Sequence, residues 1–167
     1  VTAGDDGLED NDSSFDALEI PGYRVDDLRV LSGDDDWYAV DLGVGDTLAV
    51  NVNFTDSEGD IDLYVYAPGS GGAGSTVRSS TSVTNNESTS SYTATSAGLH
   101  YIKVTLYLDD TGGTPGNLYE METIVARHSS NWNDNDFFEY NDTQSSAAAV
   151  EDTYYWGLTA NGATDED

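Results

Sequence analysis

The sequence contains no cysteine and few basic residues: five lysines and arginines face 32 aspartates and glutamates in 167 residues. Without cysteine the chain has neither a disulfide framework nor thiolate chemistry. A formal net charge of -27 repels phosphate backbones and anionic lipids, so we expect no nucleic acid partner. No apolar run approaches the roughly 18 residues of a membrane span, so we expect no membrane insertion.

The excess of carboxylates attracts divalent cations, and its self-repulsion favours a fold that is stabilised by bound metal or by high salt. A halophilic, solvating surface explains the same charge, but it does not explain why carboxylates cluster in short loops. A single lysine, Lys103, abundant small polar residues and 11 tyrosines are typical of an exported protein. We therefore expect an extracellular or cell-surface location.

Apolar and polar residues alternate along five segments, which are separated by stretches rich in turn-forming residues. Alternation places one row of apolar side chains on one face of a strand. Several short strands joined in this way predict an all-β fold, an antiparallel β-sandwich of jelly-roll or immunoglobulin-like type. The predicted core rows are Tyr38, Val40 and Leu42; Leu48, Val50, Val52 and Phe54; Ile61, Leu63 and Val65; Ile102, Val104, Leu106 and Leu108; Tyr119, Met121, Thr123 and Val125.

The stretch that begins at Leu8 recurs, 130 residues later, in the stretch that begins at Phe138. Such recurrence is typical of a modular array. We interpret residues 1–127 as one module, 128–136 as a polar linker and 137–167 as the opening of a second repeat. This partial repeat cannot close a sandwich alone. Its alternating Tyr154, Trp156 and Leu158 predict an assembly contact with a neighbouring molecule.

Two acidic loops are candidates for a metal site: Glu9, Asn11 and Asp12 in one, and Asp34, Asp35 and Asp36 in the other. Clustered carboxylates with an amide oxygen suit calcium, whereas zinc prefers nitrogen and sulfur ligands. A turn whose acids are merely solvated explains the same pattern. A second acidic loop contains Asp60 and Asp62, which share one strand face directed away from the core, and the same two interpretations apply.

Catalysis has little support in the sequence, and we expect no enzyme. His100 and His128 are not accompanied by a Gly-x-Ser-x-Gly motif. Four tyrosines lie opposite the apolar rows, where they either bind extracellular protein or polysaccharide or cover the outer sheet face: Tyr64, Tyr66, Tyr101 and Tyr107. Asn53 and Asn86 begin Asn-x-Ser/Thr sequons and are candidate glycosylation sites.

An ordered series of motifs resembles the bacterial pre-peptidase C-terminal domain, to which the collagen-binding domains of clostridial collagenases are similar. The resemblance extends from Leu8 to Val125, and Phe138 to Asp167 resembles the start of another copy. The series comprises Glu9-Asp10-Asn11-Asp12-Ser13, Gly33-Asp34-Asp35-Asp36-Trp37-Tyr38-Ala39-Val40, Gly45-Asp46-Thr47-Leu48-Ala49-Val50, Gly59-Asp60-Ile61-Asp62-Leu63-Tyr64-Val65-Tyr66, Ala97-Gly98-Leu99-His100-Tyr101-Ile102-Lys103-Val104 and Tyr119.

The resemblance implies a non-catalytic jelly-roll sandwich that is appended to secreted enzymes and surface proteins. In the collagenase relatives, calcium lies between an N-terminal Glu-x-x-Asn-Asn-like segment and an Asp-x-Asp turn. The sequence departs from this pattern by having Asp10 where the family often has proline, and Asp12 where the relatives have asparagine. Carried onto this chain, the resemblance implies the calcium ligands Glu9, Asn11, Asp12, Asp34 and Asp36, with Glu139, Asn141 and Asp142 in the second repeat.

Taken together, the sequence predicts a calcium-binding attachment or spacing module of an extracellular protein. Its expected partners are neighbouring copies of the chain or adjacent modules, and extracellular protein or polysaccharide. The alternative is a self-assembling subunit of an extracellular filament or surface array, in which the terminal segment packs on a neighbouring protomer.

Overall fold

A computed structural model describes residues 6–20, 24–110 and 115–128. This part of the chain contains ten β-strands and one short 3-10 helix, Asp56–Glu58. The strands are β1 (Leu18–Glu19), β2 (Arg24–Val30), β3 (Asp36–Leu42), β4 (Thr47–Phe54), β5 (Gly59–Gly69), β6 (Gly72–Ser80), β7 (Glu87–Ser88), β8 (Tyr92–Thr93), β9 (Gly98–Asp109) and β10 (Asn117–Ala126). No helix within these described ranges has the length and hydropathy to cross a membrane.

The strands form two sheets that pack face to face. The first sheet has the order β1-β3-β9-β5-β6, and the second has the order β2-β10-β4-β7, with β8 also paired to β4. β1 and β3 are parallel, whereas the pairs that build the rest of both sheets are antiparallel. The all-β class and the antiparallel sandwich predicted from the sequence are confirmed.

The core lies between the sheets and consists of the apolar rows that alternation predicted. Sixteen of the predicted core residues are buried, because each row faces the opposite sheet. Additional core residues come from segments with no periodic signal, namely Ile20, Leu28, Val30, Tyr92 and Ala94. Val125 is only half-buried against the end of the core.

Leu108 is the predicted core residue that the structure contradicts, since its side chain is 50% exposed. Asp60 pairs with Leu108 and the next residue, Ile61, pairs with Leu106, so Tyr107 is an extra residue in β9. Such a bulge shifts the alternation by one position. Leu108 therefore leaves the same face as Asp60 rather than the core face.

His100 lies in the core of the sandwich. It is fully buried in the inner row of β9, and its ring packs against Tyr92 at 5.5 Å between centroids. Nδ1 lies 2.9 Å from the carbonyl oxygen of Gly98, while Nε2 is buried without a hydrogen-bond partner. Burial lowers the pKa of His100 below its ordinary value of 6.5, although the Gly98 carbonyl and Asp41 oppose the shift.

We expect His100 to make the fold acid-sensitive. Its folded-state pKa is depressed, so the unfolded chain takes up the proton first, and stability is lost as the pH falls below about 6.5. In urea unfolding at a series of pH values, His100→Phe should lose less stability than wild type between about pH 7 and pH 5. His128→Gln, at an exposed position, is the control. Parallel pH profiles for wild type and His100→Phe would contradict the assignment.

The predicted module 1–127 contains nearly all of the described residues. The predicted linker 128–136, apart from His128, and the predicted second repeat 137–167 lie outside them. Those two predictions, and the alternative of self-assembly that depends on them, therefore stay predictions.

Candidate metal centre and aromatic face

The segment before β1 lies against the start of β3 and gathers three acids. The Asn11 carbonyl oxygen accepts a hydrogen bond from the Trp37 backbone N–H at 2.9 Å. Glu9, Asp10 and Asp12 each offer a carboxylate oxygen, and these oxygens lie within 4.8 Å of one another. Glu9 and Asp12 were predicted ligands, whereas sequence reasoning missed Asp10 because it treated that residue as a departure from the family pattern.

Asn11, which lies between Asp10 and Asp12 in the chain, has a buried amide oxygen. The residue is 1% exposed, and its Oδ1 accepts no hydrogen bond. A buried polar oxygen without a partner costs free energy, and close carboxylates repel one another. A hard cation relieves both costs, and calcium binds through carboxylate and amide oxygens. The residues of this segment therefore fit calcium by their chemistry.

Asp36 lies at the same end of the sandwich, but on the inner face of β3. Its carboxylate accepts a hydrogen bond from the Tyr119 hydroxyl, which in turn lies 2.7 Å from the Tyr38 hydroxyl. Burial, followed by the Asp36 charge, raises the pKa of Tyr38, while hydrogen bonds with Tyr119 and Asn11 oppose the rise. Asn11 and Asp36 are thus joined through two buried tyrosines that the sequence identified only as core residues.

Asp34 precedes β3, and its backbone N–H donates to the Leu31 carbonyl at 3.2 Å. The group of carboxylates within 4.8 Å of one another contains neither Asp34 nor Asp36. The role of these two residues as ligands stays a prediction. Glu139, Asn141 and Asp142, the ligands predicted for the second repeat, lie outside the described residues, as do the assembly residues Tyr154, Trp156 and Leu158.

The second acidic pair, Asp60 and Asp62, lies on β5. Both side chains are buried, with 7% and 8% of their surface exposed, so they are not acids of a solvated turn. Burial, with the charge of Asp62 next, raises the pKa of Asp60. Burial also raises the pKa of Asp62, against a hydrogen bond from Tyr64.

The outer face of the first sheet carries four aromatic side chains around one lysine, and we call this cluster the aromatic face: Trp37, Tyr64, Tyr66, Tyr101 and Lys103. Trp37 and Tyr66 stack with their ring centroids 5.3 Å apart. The Lys103 ammonium lies 5.9 Å from the centroid of Trp37 and 5.3 Å from that of Tyr64. Register explains the cluster, because Trp37 pairs with Lys103, and Lys103 with Tyr64, across three adjacent strands.

The four tyrosines predicted to lie opposite the core differ in exposure. Tyr64 and Tyr66 are half-buried within the aromatic face. Tyr101 is 8% exposed, because it lies between Ala39 and Tyr66 and is covered by its own chain. Tyr107, the extra residue of the bulge, is 72% exposed.

The two candidate glycosylation sites differ in their surroundings. Asn53 is exposed on β4, directed away from the core as predicted. Asn86 has a left-handed backbone with φ of 67°, and its side-chain oxygen accepts the Phe54 N–H at 3.1 Å. Asn86 thereby holds the turn before β7 against the end of β4.

The solved structures that resemble this chain include two from different bacteria. The pre-peptidase C-terminal domain of collagenase from Bacillus anthracis is 15% identical, with 65% of this chain and 94% of that chain covered and a TM-score of 0.49. PliG from Aeromonas hydrophila, a periplasmic inhibitor of g-type lysozyme, is 11% identical, with 66% and 96% covered and a TM-score of 0.48. Comparison with curated proteins finds no match.

The family comparison bears on the central part of the sandwich. The matched residues run from Asp34, just before β3, to Leu106 in β9, so they include Asp34 and Asp36 but not the segment from Glu9 to Asp12. Domains of this family are non-catalytic accessory modules and occur in secreted bacterial proteins. The resemblance that the sequence carries is confirmed: residues 34–106 match the bacterial pre-peptidase C-terminal domain, a β-sandwich module of peptidase-associated extracellular proteins.

Proposed function

We propose that this chain is a non-catalytic, calcium-stabilised module that attaches or spaces the larger parts of an extracellular protein. The observation that supports calcium is the group of Glu9, Asp10 and Asp12 beside the unpartnered amide oxygen of Asn11. Asp12 and Asp10 are exposed and Glu9 is half-buried, so the ion reaches the site from solvent while Asn11 binds it from the protein side.

The aromatic face is the surface that we assign to attachment. Stacked rings offer a large area at a low cost in conformational entropy, and such rings bind sugars and protein side chains. Asp35 accepts a hydrogen bond from Lys103 at 3.1 Å, so the lysine charge on this face is already paired. Together with the net charge of -27, this pairing favours uncharged or cationic extracellular polymers over anionic ones.

The two sites are structurally connected. The Asn11 carbonyl that accepts from the Trp37 N–H ties the acidic segment to the first residue of the aromatic face. Ordering of this segment by calcium should therefore fix the position of the Trp37 ring. In this proposal calcium stabilises the module and also holds its attachment surface in place.

Attachment is tested by cosedimentation of the full chain with insoluble chitin, cellulose and fibrillar collagen, in calcium and in chelator. Trp37→Ala and Tyr66→Ala should each weaken binding to the polymer that wild type retains by about tenfold, which is typical for loss of a central aromatic contact. Tyr107→Ala removes an exposed phenol ring, equal in size to that of Tyr66 but outside the cluster, and should leave binding unchanged. Equal loss in all three variants, or no retention of wild type by any of the polymers, would contradict this role.

A further inference from the structure

Asp60 and Asp62 form a compact acidic pair at the start of β5. They are two residues apart in one strand, so both side chains leave the same face of the sheet. Asp62 pairs with Thr105 of β9, so the two side chains leave the same face of the sheet as neighbours. The Tyr64 hydroxyl donates a hydrogen bond to Oδ2 of Asp62 at 3.0 Å and fixes its orientation.

The bulge in β9 brings an apolar side chain to this face beside Asp60. It places Leu108 opposite Asp60 on this face, where an unbroken alternation would have directed Leu108 into the core. An apolar side chain thus lies next to a carboxylate that is 7% exposed. Bulges change the direction of a side chain at one position in this way.

The Asp60 carboxylate is poorly compensated inside this environment. Its Oδ1 is buried and accepts no hydrogen bond. Besides burial itself, the charges of Asp62, Asp56, Glu87 and Asp110 all raise the pKa of Asp60. Burying an ionised carboxylate without a partner costs free energy. The Asp60 carboxylate therefore either binds a cation or takes up a proton.

We propose that Asp60 and Asp62, with the hydroxyl of Thr105, hold a second hard divalent cation, calcium, on the outer face of β5. The site differs from the group of Glu9, Asp10 and Asp12 in its strand and in its residues. All the protein ligands are oxygens, which suits calcium and not zinc, and water completes the coordination shell. Asp56 and Asp110 increase the local negative potential that attracts the ion.

Counting bound ions tests the proposal independently of the first site. Equilibrium dialysis with radioactive calcium is carried out on the full chain, on Asp60→Asn/Asp62→Asn and on Asp12→Asn. The double substitution should remove one ion per chain, whether or not Asp12→Asn also removes one. An unchanged number of ions in the double variant would overturn the second site. An unchanged number in Asp12→Asn would instead count against the calcium site of the proposed function.

A second test does not depend on the number of bound ions. It asks whether Asp60→Asn raises or lowers the melting temperature. In chelator, Asp60→Asn removes a buried unpaired charge and should raise the melting temperature by about 2–4 °C. In saturating calcium the same change removes a ligand and should lower the melting temperature. Glu58→Gln, which removes an exposed charge from the preceding turn, should show no reversal. The same sign for Asp60→Asn in both conditions would show that a proton, and not a cation, neutralises the pair.

Discussion

Chelation of calcium is expected to lower the melting temperature of the full chain by about 5–10 °C. Binding at about 100 times the dissociation constant stabilises the folded state by about 2.7 kcal/mol, and each kcal/mol corresponds to about 2–4 °C in a chain of this size. The loss of stability arises at the site itself. Without the ion, Glu9, Asp10 and Asp12 repel one another, and the buried Asn11 oxygen has no binding partner. Differential scanning calorimetry at constant ionic strength measures the effect.

Substitution of Asp12 separates this site from general screening of the acidic surface. In the Asp60→Asn/Asp62→Asn background, Asp12→Asn removes one carboxylate of the group and should abolish most of the remaining difference between calcium and chelator. Asp16→Asn removes one charge from a nearby exposed aspartate that contacts Ser13, and it should leave the difference intact. If monovalent salt restores the melting temperature as well as calcium does, the acids of this segment act only as a solvating surface.

The substitution Asp46→Ala is expected to destabilise the module by about 3 kcal/mol. Asp46 is fully buried, and its carboxylate accepts hydrogen bonds from the Gly43 N–H at 2.8 Å, Arg127 Nη1 at 2.8 Å and the His128 N–H at 2.7 Å. Alanine leaves these donors without their acceptor. This loss of stability is at the low end of what breaking a buried ion pair costs, because Arg127 is partly exposed and solvent screens its charge.

Two measurements detect the loss of the Asp46 contacts. Urea unfolding reports the change in stability, and limited trypsin digestion reports cleavage after Arg127, which should become faster once the end of β10 is released. Asp41→Ala is the matched control, since Arg127 bonds only the backbone carbonyl at that position, at 2.9 Å. Stability and digestion rates equal to those of Asp41→Ala would show that Asp46 does not hold the chain where it leaves the sandwich.

Alternation of apolar residues was sufficient to predict the sandwich and most of its core. A strand has a period of two, so the rows around Val40, Val50, Leu63, Val104 and Met121 specify which face each strand buries, whatever the order of strands in the sheets. The clustered acids with an asparagine likewise made the segment from Glu9 to Asp12 a candidate metal site, and the structure brings three of its carboxylates together. These features are local in the sequence, and they could be read without a structure.

Contacts between distant strands required the tertiary structure. Tyr107 is an extra residue only in relation to the partner strand β5, so no pattern within β9 could show that Leu108 leaves the core face and lies opposite Asp60. The same holds for the contacts of Asp36 with Tyr119 and of Asp46 with Arg127, which join residues 83 and 81 positions apart. Where a strand has no bulge, the sequence by itself determined which side chains face inward, because that depends on one strand's periodicity. Only the packing of strands against each other decided which carboxylates are buried, which are paired and which have a buried oxygen without a hydrogen bond, because burial and charge depend on neighbours that are remote in the chain.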